Sequence, residues 1–340
     1  MKLIKRYLKK IAKKLGYQIT KISSNPIERV IMESNDNNLN CIVLCNNGKY
    51  KMHNEIYLKY RNLCDSDWIK LLYASVDNQI IDNIKFPAFP EKNIQIRMIG
   101  NHGKGALYEP AYIYQEIRRI AKQQNKAFDE NTVFLDFACG YGRHTRFFMK
   151  DIYPGNLYGS DVTHDFIGIC RSTFSCNKDS DVLFDINNPF PPLKYNNETF
   201  DFIMAYSLFS HLSEEAHLAW LSEYYRILKP DGLLFLTIRQ QFFLTNLGKS
   251  IGIGNVDKYE LYLLEKLGNN SVLERFNNGE YIFHPSGGGK EMTKDFYGDT
   301  VIPTSYILSK WVNLFDIIEH YEDPNKLYQA FICLKKKSHR

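Results

Sequence analysis

The spacing of apolar residues changes character along this chain. In "MKLIKRYLKKIAKKLGY", Leu3, Ile4, Leu8, Ile11, Ala12 and Leu15 recur at helical spacing, with lysines and Arg6 between them. That pattern predicts a basic amphipathic helix stopped near Gly16, so residues 1–25 are one unit. Residues 26–90 read as a small accessory region. It has a hairpin signal at Asn47-Gly48 and a helix over "DSDWIKLLYASVDNQI" capped by Ser66 or Asp67. Phe86-Pro87-Ala88-Phe89-Pro90 reads as a linker.

From residue 91 short apolar runs alternate with helix-period segments. "YEPAYIYQEIRRIAKQQ" predicts a helix, 132–137 a strand, and the residues from 142 a helix. "NLYGSDV", "DVLFDI" and "TFDFIMAYS" are strands, "THDFIGICRSTF" and "SEEAHLAWLSEYYRIL" helices, and "KPDGLLFLTIR" a turn and strand. Such alternation predicts a parallel sheet covered by helices on both faces. Residues 241–300 read as a loop-rich insert. "SYILSKWVNLF" predicts a helix, and "FDIIEHY" and "LYQAFICLKK" a closing antiparallel pair. The main domain is therefore expected over 91–337.

Composition narrows the class. The chain has 340 residues, 44% apolar and 24% charged, enough for one large or two modest domains. Eight of its 43 Lys and Arg fall within 1–27, without one acid; the remaining 35 face 38 acids. The basic end can lie on an anionic membrane surface, while the near-neutral body argues against a nucleic-acid partner. Seven scattered cysteines without C-x-x-C spacing suit free thiols in a reducing cytosol, and no spacing argues for a metal. The expected location is cytoplasmic, peripheral at the membrane's inner face.

The chemistry centres on "VFLDFACGYGRHTRFF", a buried strand that breaks on Gly140 and Gly142. A phosphate-binding P-loop needs G-x-x-x-x-G-K-[ST], and a dinucleotide site needs G-x-G-x-x-G. Neither spacing is present. Backbone approach without a phosphate cradle remains, which suits S-adenosylmethionine (SAM). "PSGGGK" is no phosphate loop, and Asn188-Pro189-Phe190 lies before the fourth strand, where it reads as a connection.

"LDFACGYGR" resembles the first motif of class I SAM-dependent methyltransferases, L-D-x-G-x-G-x-G, with Ala138 in place of the first glycine. The turn tolerates that change if Ala138 keeps a negative φ. The order of Asp161 after "LYGSDV", Asp185-Ile186, "FDFIMAYSLFSHL" and "YRILKPDGLLFLT" strengthens the resemblance, and Asp231-Gly232 departs mildly from its usual Gly-Gly. It implies a Rossmann-like α/β fold with a mostly parallel seven-stranded sheet and an antiparallel last strand. Cofactor-binding residues would be Asp136, Ala138, Cys139, Gly140, Gly142, Arg143, Asp161, Val162, Asp185, Ile186, Tyr206 and Ser207.

"IQIRMIGN", "SLFSHLSEEAHLAWLSEYYRILKPDG" and "FYGDTVIPTSYILSKW" resemble members linked to bacterial surface-glycan synthesis. The expected reaction is methyl transfer to a hydroxyl of a small-molecule or glycan acceptor. His211 is the candidate base, with His284 the alternative. His102, Tyr108, Arg239 and Asp299 are the candidate acceptor contacts. A nucleic-acid methyltransferase, and an inactive SAM-binding subunit of a glycan-assembly complex, are the alternatives.

Overall fold

The computed structural model describes residues 17–22, 28–34, 39–44, 52–176, 179–180, 182–247 and 258–338. The basic segment 1–16, the turn at Asn47-Gly48 and all of "GKSIGIGN" lie outside them. Tyr17–Ile22, Glu28–Ser34 and Leu39–Leu44 pair as a three-stranded antiparallel sheet, more strand than the expected hairpin.

The main sheet has seven strands: β1 (Phe134–Phe137), β2 (Leu157–Asp161), β3 (Leu183–Ile186), β4 (Phe200–Ala205), β5 (Leu228–Ile238), β6 (Phe315–Tyr321) and β7 (Ala330–Lys336). Their order is β3-β2-β1-β4-β5-β7-β6. Pairs from β3 to β5 are parallel; β7 runs antiparallel to both β5 and β6. This is the Rossmann-like methyltransferase topology that the sequence implied.

Every residue of β1 is buried, as a central parallel strand covered on both faces requires. Phe134, Phe202, Leu233 and Phe235 pack to one side; Leu135, Ile203, Leu234 and Leu236 pack to the other, with Trp220 and Trp311. Chain order makes a crossover between β1 and β4, because β2 and β3 lie to one side of β1 and β4 to the other. Open α/β sheets bind ligands at such a switch, outside the carboxyl ends of the strands.

The helices are α1 (Met52–Tyr60), α2 (Asp65–Ala74), α3 (Lys92–Ile99), α4 (Tyr108–Gln123), α5 (His164–Thr173), α6 (Glu214–Ile227), α7 (Gln241–Asn246), α8 (Lys258–Leu267), α9 (Asn270–Asn277) and α10 (Thr304–Lys310). Three sequence expectations are corrected here. Residues 52–90 share the main core: Trp68 donates to the Phe147 carbonyl at 2.7 Å, and Phe86 is fully buried beside Tyr60 and Trp68. The 86–90 segment is not a free linker. The buried Arg146 donates to the carbonyls of Pro87 and Ala88, each at 3.3 Å, and lies 3.8 Å from the Phe89 ring centre. Where a regular helix was expected from 142, the chain makes turns and a short 3-10 segment, Thr145–Lys150, and Gly142 itself sits at φ +76°.

The insert is also more ordered than its glycines suggest. Apolar residues of α7, α8 and α9 form a small core of their own, with Phe243, Leu263, Leu267, Val272, Phe276 and Ile282. Among the described residues, no helix is long and apolar enough to cross a membrane.

Candidate active site

Past the carboxyl ends of β1, β2 and β4 lies a cavity of about 680 Å³. That is the size of a small-molecule site. Asp136, Ala138, Cys139 and Arg143 from the first turn line it, with Asp161 and Val162 after β2 and Tyr206 and Ser207 after β4. The structure therefore gathers eight of the twelve sequence candidates for cofactor contact.

Two acids sit at its floor. Asp161 is buried, and its carboxylate accepts the main-chain N–H of Gly140 at 2.9 Å and of Thr163 at 2.8 Å. Burial raises its pKa against the pull of these donors. Asp136 accepts the Thr145 hydroxyl at 2.5 Å. Burial, with the nearby Asp161 charge adding, pushes its pKa up to about 7. Arg143 donates to Glu109 and the Ala106 carbonyl at 3.3 and 3.1 Å, so its cation faces the cavity beside these acids.

The turn is strained. Ala138 has φ +58°, not the negative value its side chain would favour, and Ser207 has φ +54°. Such conformations persist where surrounding structure holds them. The two glycines serve packing rather than the cavity wall. A Cβ at Gly140 would sit 2.0 Å from the Met98 methyl, and one at Gly142 would sit 2.5 Å from the Phe174 ring.

Asp185 and Ile186 do not reach the cavity. Asp185 pairs with Lys194 at 2.6 Å and accepts the Tyr195 hydroxyl at 2.9 Å, on the outer side of the edge strand β3. Ile186 is exposed. Asn187, one residue later, lines the cavity and accepts from Ser160 Oγ at 2.7 Å.

The second half of the cavity is walled by Pro189, His211, Trp220, Phe296 and Tyr297, with Gly288, Glu291 and Met292 of the insert. Ser213 caps α6, its hydroxyl accepting Ala216 N–H, with Glu214 and Glu215 in the first turn. This cap fixes the loop that carries His211. Main-chain hydrogen bonds run the insert's end along that loop: Ser213 to Phe296, Gly298 to His211 and Thr300 to Ser210. Gly298 has no room for a side chain, since a Cβ would lie 2.1 Å from the His284 carbonyl oxygen.

His211 Nδ1 stands 2.8 Å from the Gly298 carbonyl oxygen, and its ring stacks on Tyr297 at 5.0 Å and 7°. A carbonyl only accepts, so Nδ1 carries the proton and Nε2 presents a lone pair. Burial, with the Arg239 charge adding, lowers its pKa to about 4.

The other acceptor-side candidates fall elsewhere. Arg239 is engaged internally: it donates to Asp299 at 2.8 Å and to Ser210 O at 3.3 Å, and packs over Phe243. Asp299 is fully buried and also accepts from Tyr259 and Ser286. The two form a structural ion pair under the cavity. His284 packs against Tyr262, and His102 and Tyr108 point to solvent. In their place α3 and the start of α4 supply Arg97, Met98, Ile99 and Glu109 to the cavity. Sequence reading missed these residues, and also His144, Asn187 and Gln329. For α3 the signal existed in "IQIRMIGN", whose apolar residues remain exposed at Ile96 and Met98.

A methyltransferase-domain family model matches residues 134–232, from β1 into the turn before the buried part of β5. The chain is similar in fold to several solved structures. A Pyrococcus horikoshii protein has 18% identity over 66% of this chain and 91% of its own, with TM-score 0.42. A SAM-dependent methyltransferase from Clostridium acetobutylicum has 12% identity over 72% and 97%, with TM-score 0.46. One from Methanosarcina mazei has 17% identity over 62% and 95%, with TM-score 0.40. No curated protein matches the chain.

The domain's cofactor is SAM. The cavity's chemistry fits it: a strand-end carboxylate for hydroxyls, two further acids and an arginine for a zwitterion, and no phosphate cradle.

Proposed function

We propose that this methyltransferase transfers the methyl group of SAM to a hydroxyl of a small-molecule acceptor, a sugar or glycan precursor. One observation carries the reading: the His211 tautomer set by the Gly298 carbonyl, with Nε2 free to accept a proton beside an aromatic wall.

Asp161 would hold the ribose hydroxyls, and Asp136, Glu109 and Arg143 the amino-acid end. Val162, Cys139, Ala138, Tyr206 and Ser207 would shape the surrounding wall. Bound there, SAM supplies a methyl group already made electrophilic by its sulfonium. The chain's part is to place the acceptor oxygen in line with that carbon, a matter of orientation. His211 Nε2 would take the hydroxyl proton as the methyl group passes to the acceptor oxygen, the S–C bond breaking as the O–C bond forms and leaving a neutral thioether. Being neutral above about pH 4, the imidazole is in the accepting form throughout the physiological range. Trp220, Phe296 and Tyr297 offer flat apolar faces of the kind that pack on the C–H faces of sugar rings, which favours a sugar over a charged acceptor.

The test is SAM turnover against nucleotide-linked sugars, lipid-linked glycans and oligonucleotides. Methylated sugar is the expected product. Turnover only on oligonucleotides, with steep salt dependence, contradicts the reading. SAM binding without turnover in the presence of cell extract would identify an inactive subunit instead.

We further propose that residues 1–16 bring the enzyme to an anionic membrane surface. Each Lys or Arg near such a surface contributes about 1 kcal/mol. A protein lacking them should keep turnover on a soluble acceptor and lose binding to anionic vesicles; equal vesicle binding rules this out.

A further inference from the structure

The imidazole of His144 is 6% exposed and lines the cavity, yet neither of its ring nitrogens has a hydrogen-bond partner. Its ring lies over Tyr206, with centres 4.3 Å apart and planes inclined by 34°. Arg143 also reaches the Tyr206 ring, at 5.4 Å. An unpaired buried polar atom costs stability, and native interiors rarely tolerate two on one ring. A neutral imidazole offers one N–H donor and one lone pair. What completes it must therefore bring both an acceptor and a donor.

Position says which part of a ligand does so. Asp161 and Asn187 lie beyond β2 and β3. Tyr206, against whose ring His144 packs, lies beyond β4, two strands from β2 and therefore about 10 Å across the sheet. A nucleoside whose ribose meets Asp161 thus extends its 5′ substituent toward His144. Here too are Asp136, Glu109 and Arg143, two acids and a cation that complement a zwitterion. An α-amino acid group carries an acceptor carboxylate and a donor ammonium side by side.

We propose that His144 is a cofactor-binding residue, whose imidazole is left unpaired in the free protein and is completed by the amino-acid end of the cofactor. Its N–H donates to the carboxylate and its lone pair accepts from the ammonium. Free-state stability is given up for binding. The inference rests on the placement of the cofactor in this cavity, and not on the acceptor or on His211.

The experiment pairs a residue change with a ligand change. His144→Phe keeps the ring over Tyr206 and removes both nitrogens. S-adenosylhomocysteine carries the amino-acid end, and 5′-methylthioadenosine lacks it. Calorimetry should show S-adenosylhomocysteine weakened about ten- to hundredfold in the variant, the range for one or two charge-assisted hydrogen bonds. Affinity for 5′-methylthioadenosine should stay within about twofold, since the coupled group is missing. The ligand-free variant should melt higher than the parent. His144→Gln, with one donor and one acceptor, should recover part of the lost affinity.

Equal losses for both ligands, or unchanged affinity for both, overturns the proposal. So does a lower melting temperature for the ligand-free Phe variant, which would mean that the nitrogens are satisfied. If the parent binds neither ligand, the cofactor placement itself falls, an outcome distinct from these.

Discussion

His211 Nδ1 faces the main-chain oxygen of Gly298 at 2.8 Å, across 87 residues of sequence. The contact joins the loop after β4 to the end of the insert and sets which ring nitrogen is basic. Gly298 can deliver its carbonyl there because it has no Cβ to strike the His284 backbone. The insert therefore acts on the site through its backbone, and His284 itself stays outside the cavity.

His211→Ala should leave S-adenosylhomocysteine affinity nearly unchanged and lower turnover by about 10²–10⁴-fold, the usual share of a positioned acid or base. Because burial and Arg239 hold the folded pKa near 4, below the ordinary histidine value, the acid limb of the parent's rate should fall near pH 4 rather than 6.5. The same shift makes the unfolded chain bind a proton first, so His211 lowers stability as pH falls from 6.5 to 4. A pH–rate profile with its acid limb near 6.5 contradicts this assignment.

Arg239→Met should destabilise the fold rather than weaken acceptor binding. It leaves Asp299 buried without its cation, and breaking a buried pair costs about 3–5 kcal/mol. Arg239 and Tyr259 outweigh burial and hold the Asp299 pKa below the usual carboxylate range. The pair's stabilisation is thus present above about pH 4 and lost as Asp299 protonates on acidification. Urea unfolding of parent and variant at pH 7 and near pH 3 checks this: the gap between them should shrink in acid.

That pair shows where sequence reading stopped. Arg239 and Asp299 were both singled out, but their partnership spans 60 residues and an insert, and no local pattern encodes it. Strand, glycine turn and the acid at Asp161 were legible because burial, left-handed backbone and strand ends leave local signatures. Asp185 was misplaced for a simpler reason. The strand ends at Ile186, and it is Asn187, the first residue beyond its carboxyl end, that turns into the cavity, while Asp185 is still within the strand. Phe86-Pro87-Ala88-Phe89-Pro90 has a linker's composition, and only the buried Arg146 reveals it as a fixed strap.

Asp136 should make the free protein less stable as pH rises. Its folded pKa of about 7 exceeds the ordinary 3.8, so between these values the folded state holds the extra proton. Thermal unfolding of the ligand-free parent from pH 4 to 7 should show this decline superimposed on other titrations, and Asp136→Asn should flatten it. An unchanged slope in the variant would assign the decline to other groups.

Ala138→Gly should stabilise the fold. Left-handed backbone costs a residue with Cβ about 1–2 kcal/mol, and the added freedom of glycine in the unfolded chain offsets about 0.5–1 kcal/mol. A net gain of about 0–1.5 kcal/mol is expected in denaturant unfolding. A loss would mean that the methyl group's packing outweighs the strain.

The central claim is that the acid after β2 holds the cofactor in this cavity, and calorimetry of S-adenosylhomocysteine against the parent and Asp161→Ala tests it most directly. A folded Asp161→Ala protein should bind about ten- to hundredfold more weakly, from hydrogen bonds to a charged group worth about 1.5–3 kcal/mol. Unchanged affinity in that folded variant would contradict the account.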